Sequence, residues 1–143
     1  MPEISHLQHV NILVDDLNAG IEFYTKVVGL ELDTTPDLPF PAQFFKLAYG
    51  GQIHMNEIAD IKPVKAHFCL VVDDFNTTFR RMKAAGVIDI VTMGKIRRLP
   101  AGTMQMFIRD PSENLVEIAS KRGSEIDNDV LQDDMVSVGN GDT

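Results

Sequence analysis

From residue 9 to residue 14 the chain alternates. Val10, Ile12 and Val14 fall on one face of an extended segment, and His9, Asn11 and Leu13 fall on the other. A period of two predicts a strand with one face packed and one open. The same alternation returns 58 residues later, where Phe68, Leu70 and Val72 oppose His67, Cys69 and Val71. Written out, "HVNILVDDLN" (9–18) and "HFCLVVDDFN" (67–76) share five of ten positions, including the opening His and the closing Asp-Asp-x-Asn. The chain is therefore an internal repeat.

After each Asp-Asp-x-Asn the apolar period lengthens. Leu17, Ile21, Tyr24 and Val28 in the first copy, and Phe75, Phe79, Met82 and Ala85 in the second, recur at helical spacing. Asp16 and Asp74 stand where an N-cap carboxylate accepts backbone N–H groups, and Gly29 and Gly86 where a left-handed C-cap belongs. Each copy then runs into strand-like pieces: "LELDTT", "QFFKLAYG" and "QIHMNEI" in the first, "VIDIVTM", "TMQMFIRD" and "NLVEIAS" in the second. Turns are predicted at "GG" (50–51) and "DPSEN" (110–114), and "DIKPVK" (60–65) reads as the linker. The predicted fold is α+β. Two βαβββ modules, residues 1–60 and 61–122, share one curved eight-stranded cup with the helices outside, because neither module buries its sheet alone. Residues 1–122 form one structural domain, and 123–143 are an acidic C-terminal tail.

Composition narrows the class. Of the net charge of −8, six units fall in residues 123–143, which hold no Lys or Arg, leaving −2 for residues 1–122. The acidity is thus a tail property and argues against a nucleic-acid partner. The tail is expected to be mobile or weakly docked, with Ile126, Val130, Leu131, Met135 and Val136 as candidates to seat one short helix. No apolar run approaches the ~20 residues that cross a bilayer, so no membrane partner is expected. The start lacks the pattern of a signal peptide and Cys69 is the single cysteine, so the expected location is cytoplasmic.

The last strand of each copy carries one metal-binding group among apolar neighbours: His54 in "QIHMNEI" and Glu117 in "NLVEIAS". With His9 and His67 they make a set of four recurring in matched places. Three imidazoles and a carboxylate suit a first-row divalent metal (Zn, Ni, Mn, Co or Fe(II)) and leave two octahedral positions for water or substrate. A single strand histidine is usually structural; matched placement in a repeat is what distinguishes these. His6 has the opposite parity to His9, lies at a strand start and reads as surface. Glu57 reads as solvated, and is the runner-up ligand if the strand bulges. Cys69 is given no chemistry, and Asp15 and Asp73 read as strand ends and caps. Arg97 and Arg98, in the loop before strand seven, are candidates for a substrate anion. Asn11, on the histidine face, and Phe45, among Phe40, Phe44, Met104 and Met106, are candidates for the substrate pocket.

The chain resembles the vicinal oxygen chelate superfamily, which includes glyoxalase I, extradiol dioxygenases, fosfomycin-resistance thiol transferases and methylmalonyl-CoA epimerase. The resemblance rests on "HVNILVDDLNAGIEFYTKVVGLEL", "QIHMNEI", "HFCLVVDD" and "FIRDPSENLVEI", and covers residues 4–120. Glu113 replaces the usual Gly of the family's Asp-Pro-x-Gly-Asn turn, so Asn114 is expected to take the left-handed conformation. The resemblance implies a glyoxalase-like lyase or isomerase acting on a small oxygen-chelating substrate, with Glu117 both ligand and base. It also implies a homodimer with sites shared between subunits. Glyoxalase I relatives commonly carry a basic residue for glutathione where this chain has Leu13, so the glutathione hemithioacetal is expected to be a poor substrate. Two rivals stay open. One is an extradiol-type ring-cleaving dioxygenase, marked by oxygen uptake with catechols, and the other a non-catalytic small-molecule binding or resistance protein, marked by absence of bound metal.

Overall fold

The computed structural model describes Glu3, residues 5–62 and residues 64–137. Its elements run β1 (His9–Val14), α1 (Leu17–Glu22), β2 (Glu31–Asp33), β3 (Ala42–Lys46), β4 (Gln52–Glu57), β5 (His67–Val72), α2 (Phe75–Ala85), β6 (Arg97–Arg98), β7 (Met104–Arg109), β8 (Leu115–Ser120) and α3 (Asn128–Leu131). This is α+β, with βαβββ twice, as the repeat predicts. Two four-stranded sheets are ordered β1-β4-β3-β2 and β5-β8-β7-β6. In each, the first and last strands pair parallel and the other neighbours antiparallel. No helix among the described residues is long and apolar enough to cross a membrane.

The described residues divide into two compact units. The first runs to Lys62 and takes in the turn Pro111–Asn114; the second holds Val64 to Asp110 and Leu115 onward. Within the first unit, alternation sorts β1 and β4: Ile12, Val14, Ile53 and Met55 are buried under the helix, while His9 and Asn11 are exposed. Asp16 caps α1 by accepting from the Ala19 amide at 3.0 Å, a contribution of about 1 kcal/mol. The helix then widens into a π-helical segment, Phe23–Val28, which ends at Gly29 with φ 90°. That segment buries Phe23, Tyr24 and Val28. In the second unit Asp74 caps α2 through the Thr77 amide and Gly86 closes it with φ 70°. Phe75, Phe79 and Met82 fill the space beneath.

Four expectations are corrected. "VIDIVTM" is no strand: Asp89 accepts from the amides of Val91 and Thr92 and from the Thr92 hydroxyl, a local side-chain network that competes with a ladder. Apart from one bridge between Ile88 and Ile108, the edge position falls instead to the two residues of β6, in the stretch read as a loop.

Glu57 is not free in solvent; its Oε2 accepts from the Leu17 amide at 2.8 Å, serving the start of α1. The tail is docked through Ser137. Val130 and Val136 are buried, Val136 bridges Ile96, Arg80 pairs with Asp127 and Asp129, and Lys83 pairs with Asp133.

In the turn before β8, Glu113 itself takes the left-handed conformation, φ 66°. Asn114 is spared because its Nδ2 donates to the Leu13 carbonyl at 2.7 Å, and Ser112 Oγ donates to Asp15 Oδ1 at 2.7 Å. Both bonds hold the turn against the end of β1, which leaves Glu113 to absorb the bend. Glu113→Gly should therefore stabilise the protein by about 1 kcal/mol, read from urea midpoints at unchanged slope; a loss of stability would show that φ here is not strained.

Candidate functional site

The four residues singled out in the sequence form two pairs, one per sheet, built on the same register. β1 and β4 place Asn11 opposite His54, so His9 lies one step along on the shared face. β5 and β8 place Cys69 opposite Glu117, so His67 lies one step along in the same sense. Alternation carries the apolar neighbours of each donor, Ile53 and Met55 or Val116 and Ile118, into the core. The donors are left on the open face.

In the first pair the His9 and His54 rings stack at 4.0 Å between centroids with 16° between planes. The other side of His54 is covered by Phe44, stacked at 3.5 Å and 7°. His54 Nε2 lies 2.9 Å from Gln52 Oε1, and Gln52 Nε2 donates to Asp33 Oδ2 at 2.8 Å. Partial burial, then the neighbouring His9, hold His54 below the ordinary histidine value. This favours the neutral imidazole that can ligate a metal. The bond from Gln52, then the Thr34 amide, hold Asp33 below the usual carboxylate range.

In the second pair His67 Nε2 is 3.5 Å from Glu117 Oε1, with side chains 28% and 15% exposed. The His67 ring meets Phe107 edge-on, centroids 5.1 Å apart. Phe107 faces Glu117 across β7–β8 as Phe44 faces His54 across β3–β4. Gln105 Nε2 donates to Glu117 Oε1 at 2.9 Å, and Gln105 Oε1 accepts from Arg97 Nε at 3.0 Å. Cys69 is exposed as a residue, but desolvation of its thiol, then its bond to Glu117 and that group's charge, push it up to about 12. It is no thiolate at neutral pH and offers no nucleophile.

The remaining candidates separate. Asn11 is exposed beside His54, as expected. Phe45 is fully buried on the opposite face, packed on Tyr24 at 5.7 Å, so Phe44 takes the place expected of it. Of the two arginines, Arg97 pairs with Gln105 and shares the Glu117 face. Arg98 pairs with Met104, takes the other face, and its Nη1 reaches the Gly102 carbonyl at 3.4 Å. From the sequence Gln52 shares the His54 face but carries no assigned role, and Gln105 and Phe107 carry none either. Their signal was parity, since Gln52 lies two residues before His54, and Gln105 two before Phe107.

The donor chemistry fits a divalent ion. Two donors ~2.1 Å from one ion stand ~3.0 Å apart at octahedral angles and ~3.4 Å apart at tetrahedral ones; His67 and Glu117 lie close to that spacing. Among the described residues, no group of three or more His, Cys, Asp or Glu side chains is gathered to hold one ion. Each sheet offers two donors.

Comparison with known proteins agrees with this architecture. The sequence model of the Glyoxalase/Bleomycin resistance protein/Dioxygenase superfamily matches residues 6–118. A probable lactoylglutathione lyase of Vibrio cholerae serotype O1 is 29% identical over 128 residues, covering 80% of this chain and 89% of the relative. The crystal structure of lactoylglutathione lyase from Agrobacterium tumefaciens superposes with a TM-score of 0.65 at 25% identity, covering 85% of this chain and 97% of that one. A variant of the fosfomycin resistance protein FosX from Listeria monocytogenes, complexed with Mn(II) and 1S,2S-dihydroxypropylphosphonic acid, superposes with a TM-score of 0.66. It is 21% identical, covering 82% and 92% of the two chains.

Proposed function

The chain belongs to the glyoxalase/bleomycin resistance protein/dioxygenase superfamily, and from that premise we propose that it is a divalent-metal-dependent lyase or isomerase of glyoxalase type acting on a small oxygen-chelating substrate. The observation that carries this reading is the shared register of the two donor pairs, His9 with His54 and His67 with Glu117, each flanked by a phenylalanine of the adjoining strand. A structural role would not require a ligand at the same step of both sheets. The names of the relatives from V. cholerae and A. tumefaciens favour a lyase.

His9, His54, His67 and Glu117 would hold the ion, which when bound supplies Lewis acidity to substrate oxygens and stabilises negative charge developing there. Glu117 would be the base that takes a proton from a substrate carbon and returns it, if its carboxylate is released from the ion for that step. Asn11 is placed to meet a polar substrate group, and Phe44 and Phe107 fix the ring planes of His54 and His67 by stacking and edge contact. We further propose a homodimer in which His9 and His54 of one subunit meet His67 and Glu117 of its partner.

The purified protein should bind about one divalent metal per chain by elemental analysis after mild loading. Affinity should fall near and below pH 6, because imidazoles must be neutral to ligate. His67→Ala binding metal as tightly as wild type would remove the site. The substrate follows a separate line: Leu13 lies on the open face opposite Asn56 and brings no charge. Glutathione-methylglyoxal hemithioacetal should therefore turn over with kcat/KM below the ~10⁴–10⁸ M⁻¹s⁻¹ of ordinary enzymes, and a value inside that range would make the protein a glutathione-dependent lyase.

A further inference from the structure

Each donor-bearing last strand is braced by a glutamine, and the two glutamines are turned opposite ways. Gln52 shows its carbonyl to His54 Nε2 (2.9 Å) and its amide to Asp33 (2.8 Å). Gln105 shows its amide to Glu117 (2.9 Å) and its carbonyl to Arg97 (3.0 Å). The edge-strand charge decides each orientation. An aspartate only accepts, so Asp33 on β2 takes the amide of Gln52 and leaves the carbonyl for the imidazole. An arginine only donates, so Arg97 on β6 takes the carbonyl of Gln105 and leaves the amide for the carboxylate. Reversing either glutamine would set acceptor against acceptor and, in the second sheet, donor against donor. A carbonyl facing His54 Nε2 requires that nitrogen to carry the proton, so the free lone pair lies on Nδ1.

We propose that Asp33–Gln52 and Arg97–Gln105 are positioning pairs: the first holds His54 in its Nε2–H tautomer with Nδ1 free to ligate, and the second holds the Glu117 carboxylate in place. Their consequence for metal affinity rests on the function proposed above; their geometry does not. Arg97 is thereby a residue that acts through Gln105 on Glu117, in place of the substrate-anion contact its loop position suggested.

Imidazole ¹⁵N NMR of the metal-free protein tests the first pair. His54 should show the Nε2–H pattern; Asp33→Asn, which frees Gln52 to turn, should mix in the Nδ1–H form, and Asp33→Glu should restore the single tautomer. An Nδ1–H pattern in wild type, or an Asp33→Asn spectrum identical to it, overturns the pair. For the second, the Gln105 side-chain amide protons should exchange slowly in wild type and Arg97→Lys and freely in Arg97→Met. Zn²⁺ affinity should fall ~10–100-fold in Arg97→Met, the range for loss of a group that orients a metal ligand. Unchanged amide exchange in Arg97→Met overturns the second pair. If wild type fails to bind Zn²⁺, the metal reading falls, and the tautomer and amide exchange still decide the positioning pairs.

Discussion

Mixing two inactive variants, His9→Ala and Glu117→Ala, should return activity to about a quarter of the sites. The expectation follows if the dimer shares its sites as proposed above. His9→Ala damages the half-site of the first sheet, and Glu117→Ala that of the second. In either homodimer every site carries one lesion. In a mixed dimer both lesions fall in one site, leaving the other with intact His9, His54, His67 and Glu117. Random reassociation of equal amounts makes half the dimers mixed, and half the sites in those are whole. Metal content and turnover should recover together, with subunit exchange followed independently by a tag on one variant. If each chain builds its own site, every site keeps a lesion and nothing returns. No recovery after demonstrated exchange rules out sharing, and leaves the donor pairs themselves to the metal titration.

The donor pairs were legible because they depend on parity. Which face His9, His54, His67 and Glu117 occupy follows from a period of two within one strand, and the caps at Asp16, Asp74, Gly29 and Gly86 follow from local backbone chemistry. What depended on register between strands was not legible. Phe44 and Phe45 are adjacent, and the pairing of Phe44 with His54, set by the β3–β4 register, decides which one sees the site. One step of slip would exchange them. The bracing glutamines have the same cause, since Asp33 and Gln52 are 19 residues apart and Gln105 and Glu117 are 12 apart. The tail divides the same way: Val130 and Val136, legible as residues able to seat a short helix, are buried, while the pairing of its aspartates with Arg80 and Lys83, 47 to 50 residues away, was not legible and docks it more firmly than its charge suggests.

Asp89→Ala should destabilise the protein by about 3 kcal/mol near neutral pH, some two decades in the folding equilibrium. Partial burial alone would raise this carboxyl. The bonds from the Thr92 hydroxyl, the Thr92 and Val91 amides and Arg109 outweigh it and hold the group well below the usual carboxylate range. Asp89 is 11% exposed and Arg109 23%, with Nε and Oδ2 2.9 Å apart, so neither charge has water in place of the other. The substitution strips three donors of their acceptor and leaves a guanidinium half-buried beside Thr92. Because the folded-state pKa is depressed, the stabilisation is fully present above the unfolded value of ~3.9 and is lost as the pH falls below it toward the folded value. Wild type should accordingly lose stability faster than Asp89→Ala as the medium is acidified through that window, and the two should converge. Arg109→Met and the double variant complete the cycle. Coupling of ~1–3 kcal/mol is expected for residues in one network, and additive losses would mean that Asp89 acts through the Val91 and Thr92 amides and the Thr92 hydroxyl without Arg109. Denaturant melts from pH 7 down through that acid window supply both readings, because the same network that replaced the expected strand at 87–93 is the one that titrates.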